Sequence, residues 1–284
     1  MSASPASPSM SRTPQNIDIA PRNMHFDMHV LSTDWHGGDP FRTAFFNALS
    51  IMFPIGEQHF IDSVKYYRRR ITDPVLAEQV RGFTAQESIH RREHQNYNET
   101  LCASRGFALD RLERPVRRRQ AWALRHLKPV VHLASTVAYE HWTAMLADSL
   151  LRKPQDLEGA HPDMAALWRW HAIEESEHKA VAFDVYQAIG GGLWLRRWMM
   201  LIVTLQFFGD TFRNMRLMLK GYQGSHVALW ANGMKFLFGK GGVYRGLGSA
   251  YVDYFRRDFH PWDHDNSEMV AGITRELELD QAAA

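Results

Sequence analysis

Cysteine is nearly missing from this 284-residue sequence: Cys102 stands alone, so no internal disulfide can form, and a reducing compartment, the cytoplasm by default, is the expected location. Net charge is small as well, with 33 Lys and Arg against 31 Asp and Glu. Such a balance supplies no global field for nucleic acid, and the local basic runs "YYRRR" and "RPVRRRQ" read as solvated helix ends. Long apolar runs are absent. The most membrane-like segment, "LWLRRWMMLIVTLQFF" at 193–208, carries Arg196 and Arg197 and falls short of the roughly 20 apolar residues a spanning helix needs. Its remaining readings are a buried helix or a peripheral contact with a membrane surface. Also lacking are Gly-x-Gly-x-x-Gly, P-loop and Gly-x-Ser-x-Gly patterns, so nucleotide binding and serine hydrolysis have no support.

What is present is apolar material, 45% of the residues, enough at this length for one large core. The Ser, Pro and Ala-rich start reads as a disordered tail over 1–22, followed by one helical domain over 23–265 and a polar tail over 266–284. Apolar periodicity gives helix after helix and almost no strand alternation, hence an all-α fold. The first helix is expected from about Phe41 to Arg70, kinked or restarted at "FPIGE" by Pro54 and Gly56. In "TDPVLAEQV", Asp73 is an N-cap and Pro74 takes the first helical position of a second helix that Gly106 should stop. A third is expected over roughly 120–152, with Pro129 as a kink or N-terminal break, and a fourth from near Pro162 to the glycines at 190–192. Three more follow near 193–219, 225–238 and 242–257. The aromatic residues Trp168, Trp170, Phe183 and Tyr186 read as core, and "FHPWDHD" reads as a segment pinned by Phe259 and Trp262.

A 4-3 seam drawn on the first four helices places polar groups where apolar ones belong. On the second helix it reads Leu76, Val80, Phe83, Glu87, His90, His94, Tyr97, Leu101; on the third, Glu140 is the lone carboxylate of an apolar stripe. On the first, Glu57 lies among Phe53, Phe60 and Val64, and on the fourth the seam holds His171, Glu175 and His178. Glu-x-x-His sets both side chains on one helix face, so Glu87 with His90 and Glu175 with His178 can each serve one metal, completed by Glu57 and Glu140 from the other helices. Periodicity alone does not choose between Glu174 and Glu175. A ligating histidine usually donates its other N–H to a carboxylate, a task suited to Glu174, with Gln86 as its counterpart; Glu175 is thereby the expected ligand, though Glu174 could take its place. Four carboxylates and two imidazoles suit two divalent ions, iron or manganese ahead of magnesium, and lack the thiolates of structural zinc. His94 and His171 lie one turn from His90 and Glu175 on the same faces, and at least one of them is expected to bind metal. His59, His126 and His141 fall off the seams and are expected at the surface or behind the ligands.

The spaced carboxylates resemble the ferritin-like di-iron carboxylate superfamily. The stretches "FPIGE", "DPVLAEQVRGFTAQESIHRREH", "WHAIEESEHKAVAFDVY" and "FHPWD" resemble the bacterial family of predicted metal-dependent hydrolases, over roughly residues 40–265. The resemblance implies a ferritin-like four-helix bundle with additional C-terminal helices. It also implies Glu57, Glu87, His90, Glu140, Glu175 and His178 as ligands to two iron ions, with manganese, a mixed manganese–iron pair or zinc as alternatives. Glu174, His94 and His171 would then assist the chemistry; the di-iron N-oxygenases, with their extra histidine, are a loose parallel. By superfamily analogy the first functional expectation is activation of dioxygen to oxidise a small organic substrate. Metal-dependent hydrolysis on a two-metal site is the second, and non-enzymatic binding of iron or oxygen the third. Assembly of identical chains is a further expectation.

Overall fold

The computed structural model describes residues 11–283, with side chains through Glu276. Helices dominate it, and among the described residues the only β-type pairing is an isolated bridge between His36 and Ala160. Among the described residues ten α-helices follow one another: α1 Pro40–Tyr67, α2 Pro74–Arg105, α3 Leu109–His126, α4 Pro129–Arg152, α5 Pro162–His178, α6 Val181–Ala188, α7 Leu193–Met218, α8 His226–Phe238, α9 Gly248–Asp253 and α10 Ser267–Ala283. Proline opens α1, α2, α4 and α5, where its missing N–H costs nothing because the first turn has no intrahelical acceptor for it. Asp39 and Asp73 cap the first two, each accepting from two backbone N–H groups. Gly106, at φ 69°, ends α2 in the left-handed conformation that a side chain would strain.

The helices α1, α2, α4 and α5 surround one core, with α6 extending α5 after a turn and α7 laid against α1 and α4. Two apolar clusters fill that core. One gathers Phe41, Phe45, Phe46, Leu101, Met164 and Trp168; the other gathers Phe83, Val80, Val137, Val181, Tyr186 and Phe259. Because α1 and α2 run antiparallel, the N-terminal half of one and the C-terminal half of the other belong to the same cluster. Glu57, Glu87, His90 and Glu175 fall in the layer between the two clusters, all of them buried.

Several expectations require correction. α1 is not interrupted at "FPIGE": Pro54 stands inside a continuous helix. Proline there deprives the Ser50 carbonyl of its N–H partner, and Asn98 on α2 replaces it, donating from Nδ2 to Ser50 O at 2.9 Å. The segment expected as one helix over 120–152 is two, because α3 begins at Leu109 and stops before Pro129. The fourth helix breaks directly after His178, where Lys179 turns toward the C-terminal segment and donates to His264 O and Asn266 Oδ1. The last of the three following helices is short, Gly248–Asp253. Of the expected N-terminal tail, residues 1–10 lie outside the described residues, whereas 11–22 pack on the protein, with Ile17 and Ile19 against the core and Arg22 half-buried and bonded to Glu174 of α5. The expected polar tail from 266 forms α10, whose Val270 is fully buried beside Ala147, Leu151, Ala172 and Ile173. Trp168, Trp170, Phe183 and Tyr186 are core residues as expected. No helix among the described residues is long and apolar enough to cross a membrane.

Candidate metal centre

Four helices deliver the polar layer: Glu57 from α1, Glu87 and His90 from α2, Glu140 from α4, and His171, Glu175 and His178 from α5. Their ligand atoms form overlapping groups, each with all members within 4.8 Å: Glu57 with Glu87 and His90, His90 with His171 and Glu175, Glu87 with Glu140 and His178, and Glu57 with His94 and His171. Glu175 stands between two sets of imidazoles. Its Oε1 is 3.2 Å from His171 Nε2 and 3.7 Å from His90 Nδ1, while Oε2 is 3.7 Å from His178 Nε2. His178 Nε2 also lies 3.3 Å from Glu87 Oε1 and 3.6 Å from Glu140 Oε2.

Hydrogen bonds determine which ring nitrogens face inward. Glu174 Oε2 accepts from His90 Nε2 at 3.0 Å, leaving Nδ1 as the lone-pair atom of a neutral ring. Gln86 Oε1 accepts from His178 Nδ1 at 2.9 Å, leaving Nε2. Arg22 braces both arrangements. Its guanidinium and backbone N–H donate to Glu174 Oε1, and it also pairs with Glu177, to which Gln86 Nε2 donates at 2.8 Å. Glu174 therefore supports His90 from behind and joins none of the inward-facing groups.

The surplus histidines have unequal parts. Ser50 Oγ donates to Asn98 Oδ1 at 2.8 Å, so it must accept from His94 Nδ1 at 2.9 Å. His94 Nε2, then unprotonated in the neutral ring, accepts from His171 Nδ1 at 2.9 Å, and His171 Nε2 is left with its lone pair directed at the centre. His94 has both nitrogens engaged and orients His171. Phe53 stacks on the His171 ring at 4.8 Å and 13°, holding the other side.

Burial sets the charges. It pushes the Glu57 and Glu87 carboxyls well above the ordinary range, reinforced by the neighbouring carboxylates, and lifts Glu140 to about 8. Glu175 ends well below that range, because the facing His171 and His178 outweigh its burial. Burial holds His90 and His94 neutral, with His171 adding to the effect, whereas His178 is raised against its burial by Glu175.

The donor set fits divalent metal. Both oxygens of Glu57, Glu87 and Glu140, together with Glu175 Oε2, His90 Nδ1, His171 Nε2 and His178 Nε2, are buried and make no hydrogen bond among the described residues. An unsatisfied buried polar atom costs about 1–3 kcal/mol, and several close carboxylates cannot all stay ionised unaided. Cations among them relieve both penalties.

Sequence reasoning did not find Arg22, Glu177, Ser50 or Asn98. Their role depends on partners far along the chain, and only the run "EESE" hinted at a second acidic layer. His141 is buried against Tyr254, with Nε2 bonded to Ala250 O at 3.0 Å, in place of the expected position at the surface or behind the ligands. His126 is exposed, and His59 pairs edge-on with His132 at 5.3 Å beside an internal hollow.

Fold and site define an all-α protein with a buried carboxylate–histidine centre suited to divalent metal. A family model described as predicted metal-dependent hydrolase matches residues 20–265, and the chain belongs to that family. Comparison with curated proteins gave no match, and neither did comparison with solved structures. Family membership corrects the first functional expectation, dioxygen activation by a di-iron pair. The physical reason is that glutamate and histidine bind zinc, manganese and iron alike, so their spacing carries no information about redox chemistry.

Proposed function

We propose that the protein is a hydrolase acting through two divalent metal ions held in this centre, on a ferritin-like arrangement of α1, α2, α4 and α5. The supporting observation is the convergence of buried, unpartnered ligand atoms from all four helices in a chain of the metal-dependent hydrolase family. Glu57, His90, His171 and Glu175 Oε1 would hold one ion, and Glu87, Glu140, His178 and Glu175 Oε2 the other. Bound there, the metals supply Lewis acidity to the scissile group and acidify a water molecule.

The protein's own groups do the rest. The two apolar clusters above and below the layer exclude bulk solvent and strengthen every charge interaction within it. Glu174 and Gln86 keep the lone pairs of His90 and His178 turned inward. Glu57 has two free oxygens, and Phe53, Gly56 and Phe60 around it line the neighbouring hollow. One oxygen can hold metal while the other takes the proton of the attacking water. As the water oxygen bonds to the electrophilic carbon or phosphorus, the bond to the leaving group breaks and Glu57 returns the proton to the leaving atom.

Manganese- or zinc-loaded protein should cleave a member of an ester, amide and phosphoester panel under anaerobic conditions. Glu57→Gln, loaded with excess metal until elemental analysis matches wild type, should lose about 10²–10⁴ of kcat, the usual worth of a general base. A folded wild-type protein that turns over without metal, or only with dioxygen, would overturn the reading.

A further inference from the structure

A cavity of about 460 Å³ lies between α1, α3, α4 and α7, within the roughly 300–1,000 Å³ typical of small-molecule sites. Its wall includes Met52, Phe60, Leu127, Val131, Met199 and Ile202. The polar side chains there are largely occupied with one another: Arg119 pairs with Asp210, Tyr139 donates to Gln206 Oε1 at 3.1 Å, and Gln120 donates to Ile55 O at 3.4 Å. A polar ligand would lose its water here and gain little in return.

The cavity is continuous in its lining with two other features. Inward, Phe53 and Thr143 are shared with a smaller hollow whose wall includes His171 and Glu175 of the metal centre. Outward, Leu195 and Trp198 are shared with an open groove formed with Trp194, Leu201, Phe255 and Arg197, whose Nε donates to Phe255 O at 2.7 Å. The rim is unusually apolar for a surface, with Trp194 77%, Trp198 64% and Trp122 55% exposed. An apolar route thus runs from the surface to within one side chain of the metal centre, and Phe53 is that side chain.

We propose that this cavity is the chamber for the alkyl chain of an amphiphilic substrate, whose hydrolysable group lies at the metal centre beyond Phe53. The substrate assignment rests on the hydrolase reading; the chain-binding chamber stands on the cavity alone. Binding to the full-length protein is read with dansylaminoundecanoic acid fluorescence, displaced by saturated carboxylates from butyrate to tetradecanoate. Affinity should rise about fourfold per methylene, the worth of burying one CH₂, and then level off when the chamber is full. Ile202→Trp and Ser135→Phe, which narrow the chamber away from the metal layer, should move the plateau to shorter chains and leave metal content unchanged. Two positions guard against one variant failing to fold. Co-sedimentation with phosphatidylcholine vesicles, abolished by Trp194→Ser with Trp198→Ser, would make a bilayer the source of the chain. Protein that stays in the supernatant and still binds the probe would make the source a dissolved amphiphile; either result supports the chamber. Chain-length-independent binding, or a plateau that neither chamber variant moves, overturns it. Chain binding without hydrolysis of any panel substrate would sink the hydrolase reading alone, and hydrolysis without chain binding would sink the chamber alone.

Discussion

At the scale of single residues, the centre depends on a relay that begins with a helix defect. Pro54 frees the Ser50 carbonyl, Asn98 fills it, and the remaining Asn98 oxygen fixes Ser50, then His94, then the His171 ring. Each link is a buried donor matched to one acceptor, so a change at the far end should be felt at the metal. Asn98→Leu, close in size, removes both ends of the amide. It should cost about 1–3 kcal/mol of stability for the groups left unpaired and, through the freed His171 ring, lower metal affinity about 10–100-fold. Chelator competition measures the affinity. Unchanged affinity in the folded variant would show that His171 is not held by this relay. The sequence could place His94 and His171 on the inward faces but could not divide their roles, because the partners that set their tautomers, Ser50 and Asn98, look like ordinary polar residues in a helix.

At the scale of elements, periodicity was most informative where a helix owes its face to the core, and least where a distant segment intervenes. The seams of α1, α2, α4 and α5 could be drawn because apolar residues recur on one face and the polar exceptions stand out against them. The break after His178 and the packed course of residues 11–22 could not, since Lys179 answers to residues 264 and 266 and Arg22 to residues 174 and 177. One glycine records the second of these contacts. A Cβ at Gly82 on α2 would lie 2.2 Å from the backbone oxygen of Ile19, so only glycine allows the N-terminal segment to approach this closely. Gly82→Ala should push that segment away and weaken the hold of Arg22 on Glu174 and Glu177, even though alanine is the better helix former. Limited proteolysis should then cut near residue 20 faster than in wild type, with α2 intact by circular dichroism. Equal cutting rates would mean that the segment is held independently of Gly82.

For the whole molecule, the centre sets stability against function. The raised carboxyls of Glu57, Glu87 and Glu140 bind protons in the metal-free folded chain that the unfolded chain has already lost. Their contribution is fully present below about 4.5, the unfolded value, and is lost as pH rises through about 8 for Glu140. His178, raised as well, acts in the same sense. His90 and His94, held low, act oppositely, but only below their ordinary value of 6.5. Between about 6.5 and 8, metal-free protein should therefore lose stability as pH rises. Metal reverses the sign, because it requires the ionised carboxylates, and at a thousandfold excess over Kd it adds about 4 kcal/mol. The gap in melting temperature between loaded and metal-free protein should widen across this window. Glu140→Gln tests the origin of the effect, since it removes one buried charge and one ligand while nearly preserving shape. The metal-free variant should melt higher than metal-free wild type at pH near 8, by about 2–4 °C for each kcal/mol of relieved charge burial and repulsion in a chain of this order of size, and most of the metal-induced gain should vanish. A metal-free variant that melts lower than wild type at that pH would show that Glu140 stabilises the bundle by some contact other than metal, and that the carboxylate layer is not held in place against the cost of burying its charge.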